Sequence, residues 1–343
     1  MRKYLISENG NFYKANLHCH SNHSDGKLTP AEIKELYKKR GYSVVAYTDH
    51  DILIPHYAEL TDSEFLALNG FEMEINEPKK SEFSSIKTCH ICFIGIDPDN
   101  ITQPMWHREG DKYYLFGNAP KYMNDVTFDE NEPDYVREYS HEKISEAMRI
   151  GREKGFFVTY NHPTWSLENY GDYMGYHGMH AMEIYNGGCN AMGWNEYNDH
   201  AYDDMLRGGE RIYCIGADDN HNHGNPESKK YDTGWAWTMI KANSLDYKEI
   251  TQALLDGNFY ASEGAEIHAL WYEDGKVHVE CSDAERITLN ADMRYACSVH
   301  CEGKELVSAD LPVNPKCRYF RLTVIGKDGK RADTNAYFVD ELN

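Results

Sequence analysis

Apolar and polar positions change their period several times along the chain, and each change marks an element. "YKANLHC" reads as a short strand that runs into a polar loop. In "LTPAEIKELYKKRG", Ile33, Leu36 and Tyr37 fall on one helical face. Thr29 is placed as N-cap, Pro30 holds the first helical position, Glu32 completes a capping box, and Gly41 stops the helix. "SVVAYT" then reads as a buried strand with Asp49-His50-Asp51 at its end. Further strands are expected at "FLALNGFEMEI", "HICFIGI", "GFFVTY", "AMEIY", "RIYCIGA" and "GWAWTMI". Helices are expected over 142–154, 195–207 and 246–256, the last ended by Gly257. Strands alternating with helices predict a mostly parallel α/β architecture.

Two regions depart from this rhythm. Residues 97–139 are rich in Tyr, Pro, Asn and acidic residues and show little periodicity, as in a lid or a mobile loop. From about Ala265 the helices stop, and short alternating strands with Gly and Asp turns predict a small antiparallel β-sandwich. The expected division is therefore a domain over 1–264, carrying the insertion 97–139, and a second over 265–343.

Composition narrows the function. The 343 residues are 41% hydrophobic, enough for a sizeable core. The formal charge of −21 argues against nucleic acid or an anionic membrane as partner, though not against a small anionic substrate held by local positive charge. The opening "MRKYLISENGNF" has no apolar core of signal-peptide length, and no run reaches the ~18–20 apolar residues of a membrane helix. The nine cysteines are scattered and odd in number, so reduced thiols in a cytoplasmic protein are expected. Cys89-x-x-Cys92 lacks the second pair of a zinc ribbon.

The chemistry collects where strands end. "NLHCHSNHSDG" places His18, His20, His23 and Asp25 within eight residues. In a strand His18 and His20 share a side, and Cys19 points the other way. Other predicted strands carry Asp49-His50-Asp51, Gly70-Phe71-Glu72, Cys89-His90, Asn161-His162-Pro163 and Asp218-Asp219-Asn220-His221. In barrels of parallel strands, active sites collect at the C-terminal strand ends. Imidazole and carboxylate donors so placed point to a site for Zn, Mn or Fe.

Taken together, "HCHSNHSDG", "TDHD", "GFE", "CH", "NHP" and "DDNH", in that order over about residues 16–260, resemble the polymerase-and-histidinol-phosphatase (PHP) family of metal-dependent hydrolases. The β-rich tail more loosely resembles the branch with a C-terminal β-sandwich. The resemblance implies a distorted (β/α)7 TIM-like barrel plus the small all-β sandwich, and a site of two to three divalent metals. It implies nine ligands: His18, His20, Glu72 and Asp219 for one ion, bridging Glu72 with His90 and His162 for a second, and Asp25, His50 and His221 for a third. Spacing favours Asp219 over Asp218. Three divalent ions against three carboxylates leave a positive site that attracts phosphate. Metals also lower the pKa of bound water to about 7, giving a hydroxide nucleophile.

The expected function is hydrolysis of a small phosphomonoester. An amide or carbamate hydrolase using the same metals is the alternative, and a non-catalytic metal-binding module is a third reading that the complete donor set argues against. His23 is either a substrate or proton-transfer group or an ordinary loop histidine. Asp49 is expected to orient a ligand histidine from behind. Glu183 and Asn186 line the pocket or make structural bonds. His223 is read as a solvated loop residue, with the mouth of the site as its alternative, and His177, His180 and His200 as surface residues. His268, His278 and His300 belong to the tail. A phosphate clamp could come from Arg108, Lys112, Arg149, Arg152 or Arg207.

Overall fold

The structure is a computed structural model that describes residues 2–78, 86–110 and 114–342. In chain order its elements are β1 (Lys3–Tyr4), β2 (Asn11–Asn16), α1 (Pro30–Lys39), β3 (Val44–Tyr47), α2 (Tyr57–Leu60), β4 (Leu66–Asn76) and β5 (Thr88–Gly95). Then come α3 (His141–Glu153), β6 (Phe156–Asn161), α4 (Tyr170–Tyr173), β7 (Ala181–Asn186), α5 (Gly187–Met192), α6 (Asp199–Gly208) and β8 (Tyr213–Ala217). β9 (Trp237–Ala242), α7 (Tyr247–Leu255) and β10 (Phe259–Ser262) complete the α/β part. Helix α1 carries the expected capping box between Thr29 and Glu32, and its buried face is Pro30, Ile33 and Tyr37. Gly41 follows it with φ +79°, the left-handed backbone that favours glycine.

The main sheet runs β10-β9-β2-β3-β4-β5-β6-β7-β8. Its mixed order corrects the mostly parallel expectation. β2–β3, β3–β4, β6–β7 and β7–β8 are parallel, whereas β5 is antiparallel to both its neighbours and β9 is antiparallel to β2 and β10. The reason at β5 is chain length: eleven residues separate Asn76 from Thr88, short of the dozen or more a parallel crossover needs. Reversal brings the start of β5, with His90, level with Asn161 at the end of β6. Beyond the ends of β2 and β8 the chain meets itself: His20 N–H donates to Asn220 O at 3.0 Å, and Asp219 N–H donates to His18 O at 3.0 Å.

The tail contributes β11 (Ile267–Glu273), β12 (Lys276–Cys281), β13 (Ala284–Ala291), β14 (Ala296–His300), β15 (Ser308–Pro312), β16 (Tyr319–Gly326), β17 (Arg331–Thr334) and β18 (Tyr337–Phe338). One antiparallel sheet is β1-β11-β12-β15. The other, β14-β13-β16-β17, continues through β10 into the main sheet, and β18 pairs with β16. Ile267, Leu270, Val279 and Leu311 share a core with Ile287, Leu289, Leu322 and Val324 of the facing sheet. Among the described residues no helix is long and apolar enough to cross a membrane. All nine cysteines are free thiols.

Candidate metal centre

One rim of the main sheet gathers the donors. His18 and His20 lie just past β2, His50 just past β3, Glu72 inside β4, His90 near the start of β5, His162 just past β6, and Asp219 and His221 just past β8. Strand parity does the sorting at β2: His18 and His20 face the rim, while Cys19 is buried with Ile33, Tyr37 and Val45. His50 sits across an isolated bridge from Glu72. His162 and Asp219 have φ of +28° and +50°, uncommon for non-glycine residues, so the surrounding structure holds both turns in place.

The nine side chains converge. Glu72 lies 3.0 Å from His18, 3.3 Å from His20, 3.1 Å from His50, 3.1 Å from His90 and 3.4 Å from His162. Asp219 lies 3.2 Å from His18 and 3.1 Å from His20. Asp25 lies 3.3 Å from His221 and 3.9 Å from His50. His18 Nε2 and His20 Nε2 approach to 3.1 Å. Donors about 2.1 Å from a shared ion stand roughly 3.0–3.4 Å apart, so these are the spacings of ligand shells.

Buried polar atoms without a well-formed hydrogen bond test the fit. His20 Nδ1, His50 Nδ1, Glu72 Oε2, His90 Nε2 and Asp219 Oδ1 are buried and make none, although Glu72 Oε2 lies 3.1 Å from His50 Nδ1 and Asp219 Oδ1 lies 3.1 Å from His20 Nε2. A folded chain rarely leaves five such atoms in one place, and a divalent cation satisfies them. Electrostatics agree. Burial alone would raise the Glu72 pKa, but His18, His90 and His50 outweigh it and hold the carboxyl well below its usual range. Burial alone would lower the His162 pKa, but Glu72 and Asp219 push it up to about 9. The cluster therefore draws cationic charge, whether protons or metal.

Neighbouring groups fix the rings. His18 Nδ1–H donates to Glu183 Oε1 at 2.7 Å, and Glu183 Oε2 accepts from His162 N–H at 3.0 Å. Asn186 Nδ2 donates to Glu183 and to Asp219, at 2.9 and 3.1 Å. His162 Nδ1 faces Ser166 Oγ at 3.2 Å, and His221 Nδ1 faces the carbonyl of Asp219 at 3.1 Å. Sequence reasoning left Glu183 and Asn186 open and missed Ser166 and Cys92. Cys92 shares the inward face of β5 with His90, the i, i+2 signal that could have found it, and presents its sulfur beside His18 and Glu72. Burial pushes its thiol pKa up, away from the thiolate that binds metal.

Other candidates fall elsewhere. Asp218 is used structurally: its carboxylate accepts from the backbone of Gly234, Trp235 and Ala236 and from the hydroxyls of Tyr37 and Tyr42. Asp49 accepts from the backbone and hydroxyls of Ser21 and Ser24, so it braces the loop of His20 and Asp25 and bonds no ring of the nine. The His23 ring packs at a tilt against Tyr122 and His56 and does not line the cavity over the cluster. His223 is exposed, as read, and also lines that cavity, with Nε2 at 3.1 Å from Asp25 O. His180, read as surface, packs on Phe157 and accepts from Val158 N–H. Arg108, Arg149 and Arg207 pair with Asp134, Glu153 and Asp203, Arg152 reaches Gly178 O, and none lines the cavity. Lys112 lies outside the described residues.

The cavity has a volume of about 520 Å³. Its floor holds Asp25, His50, Glu72, His90, His162, Asp219 and His221. Its walls include Phe116 from the insertion, Trp165 after β6 and Met192 at the end of α5; Phe116 and Met192 are 52% and 68% exposed. Lys230 is the one lysine or arginine among the described residues that line it. Two glycines set its shape. A Cβ on Gly117 would stand 2.5 Å from Ser24 O, so the Phe116 segment packs directly on the loop of Asp25. A Cβ on Gly188 would stand 2.6 Å from Asp219 O, so only glycine lets α5 sit on the Asp218–Asp219 backbone.

No family model and no curated protein matches the chain. Solved structures give partial likenesses. A two-domain protein from Bacteroides vulgatus containing a predicted PHP-like metal-dependent phosphoesterase aligns over 97% of both chains, at 14% identity and a TM-score of 0.45. A protein from Bifidobacterium adolescentis named as a metal-dependent phosphoesterase aligns over 65% of this chain and 91% of its own, at 17% identity and TM-score 0.36. An amidohydrolase from Chromobacterium violaceum, with sulfate and no metal bound, aligns over 61% and 88%, at 20% identity and TM-score 0.36.

Proposed function

We propose that the chain is a divalent-metal hydrolase of the PHP type that cleaves a small phosphomonoester. The observation that carries this is the convergence of nine imidazole and carboxylate side chains, several with orphaned buried donor atoms, of which seven form the floor of one open cavity. In this proposal His18, His20, Glu72 and Asp219 hold one ion, Glu72, His90 and His162 a second, and Asp25, His50 and His221 a third. β2–β8 are the strands of a distorted (β/α)7 barrel within residues 1–264, and 265–343 form a β-sandwich joined to it through the β10–β17 pairing. The enzyme is cytoplasmic.

Bound divalent metals supply Lewis acidity and a water of lowered pKa. The chain's residues do the rest. Glu183, Ser166 and the Asp219 carbonyl hold the rings of His18, His162 and His221 with one nitrogen turned to the centre. Lys230 and His223 at the mouth attract the anionic end of the substrate. Phe116, Trp165 and Met192 take its organic part and exclude water around the scissile bond. His23 is given no part in the reaction, because its ring faces Tyr122 and His56.

The amide or carbamate reading has its own support. Lys230 is the single lysine or arginine among the described residues that line the cavity, and Phe116, Trp165 and Met192 give it an apolar wall, so the described lining offers no second such group to clamp a phosphate. Turnover of phosphomonoesters and of aryl amides and carbamates, by metal-loaded, chelated and His50→Ala protein, separates the readings. The proposal expects phosphomonoester hydrolysis that chelation abolishes and that His50→Ala lowers at least about tenfold. Hydrolysis of amides alone would move the assignment to the second reading. Metal binding without turnover would leave a binding module.

A further inference from the structure

We infer that His23, Asp49 and His56 form a further divalent-cation site, separate from the nine-donor cluster. The three side chains present ligand atoms that all lie within 4.8 Å of one another. They come from three places that folding brings together: the loop after β2, the end of β3, and the turn before α2. None of them lines the 520 Å³ cavity.

Two observations point to a cation there. The first is a pair of unsatisfied imidazoles. His56 is 4% exposed and neither ring nitrogen has a hydrogen-bond partner, and the buried Nδ1 of His23 has none either. Buried polar nitrogens are seldom left so. The second is a carboxylate without a countercharge. Asp49 is 3% exposed, its hydrogen bonds come from the neutral donors of Ser21 and Ser24, and no described lysine or arginine pairs with it. A buried carboxylate is normally paired or coordinates a metal. Oδ2 of Asp49 receives one of those bonds, from Ser21 Oγ, and keeps a lone pair free. One cation neutralises Asp49 and takes a lone pair from each ring. Two imidazoles and one carboxylate suit zinc or iron rather than magnesium or calcium.

The site's position gives it a role. The loop of His23 also carries His20 and Asp25, and Tyr122 of the insertion lies with its ring centre 4.3 Å from that of His23. An ion here pins that loop to the β3–α2 connection and gives the insertion a fixed floor beside the cavity. It supports the nine-donor centre without touching substrate.

The test uses the full chain crystallised with zinc chloride, with diffraction measured on both sides of the zinc absorption edge. The expected result is an anomalous peak between Asp49 Oδ2 and the rings of His23 and His56. In solution, His23→Ala should then lose one zinc per chain while the ions of the nine donors stay. No peak at the trio would overturn the inference, and a protonated imidazole would then be the partner of Asp49. An unchanged zinc count in folded His23→Ala would overturn it too. The wild-type map decides alone if that variant fails to fold. Zinc at the trio with empty nine-donor positions would sustain this site and refute the proposed function; the reverse pattern would do the opposite.

Discussion

Single side chains around the centre act by satisfying, or failing to satisfy, one another. Glu183 is fully buried and binds both the His18 ring and the His162 backbone, so it fixes two donors at once. Replacing a group that orients a ligand costs about 10–100-fold in metal affinity. Glu183→Gln is expected to weaken zinc binding by that amount in a chelator competition, and unchanged affinity would contradict the assignment. Glu168 gives a pH test. Burial pushes its pKa up to about 7, against hydrogen bonds from Tyr160, Tyr176 and Tyr139. The native state therefore holds this proton between pH 4.5 and 7, where the unfolded chain has lost it. The group's stabilising contribution is full below pH 4.5 and is lost as pH rises through 7, a swing of up to about 3 kcal/mol. Urea unfolding at pH 5 and pH 8 should show Glu168→Gln losing that part of the wild-type difference; identical pH dependence in both proteins would refute it.

Among the elements, the insertion is tied to the centre by a buried ion pair. Arg137 donates to Asp51 Oδ1 at 2.5 Å and to Glu74 O at 2.8 Å, and these residues follow His50 by one and Glu72 by two. Its guanidinium also lies 4.2 Å from the Tyr114 ring centre. Arg137→Ala leaves Asp51 buried and unpaired, which typically costs 3–5 kcal/mol, and should loosen His50 as well. Urea denaturation checks this, and a loss under about 1 kcal/mol would show the clamp to be idle. The candidate donors were legible in the sequence because most stand at or near the end of an apolar run, and because His18 and His20 share strand parity; Glu72, inside β4, and Asp25, in a loop, drew their assignment only from the family resemblance. The direction of β5 was not, since period-two alternation carries no direction; only the short β4–β5 connection hinted at it. Asp49 and Glu183 look alike in sequence, as acidic residues at strand ends. Their different partners, two serines in one case and the His18 ring in the other, depend on contacts 25 to 165 residues away.

For the whole molecule, the tail and the site-bearing part share one continuous sheet through β10 and β17. Arg321 of β16 is almost wholly buried and bonds Asp203 of α6 and Asp333 of β17, and β1 at the other end of the chain pairs with β11. Such pairings span most of the sequence and leave no local pattern, so the tail was readable as β-structure but its seam was not. Ending the chain at residue 264 bares the β10 edge and strands Asp203, so the shortened protein is expected to aggregate. A monomeric, cooperatively folding 1–264 fragment would show that the tail is dispensable. The most direct measurement of the central claim is elemental analysis of the full chain loaded with zinc or manganese and freed of unbound ions. Two to three ions per chain are predicted at the nine donors, over and above one zinc at His23, Asp49 and His56, and Glu72→Gln is expected to release the former because Glu72 touches His18, His20, His50, His90 and His162. A protein that retains no metal, or one whose metal content Glu72→Gln leaves unchanged, would contradict it.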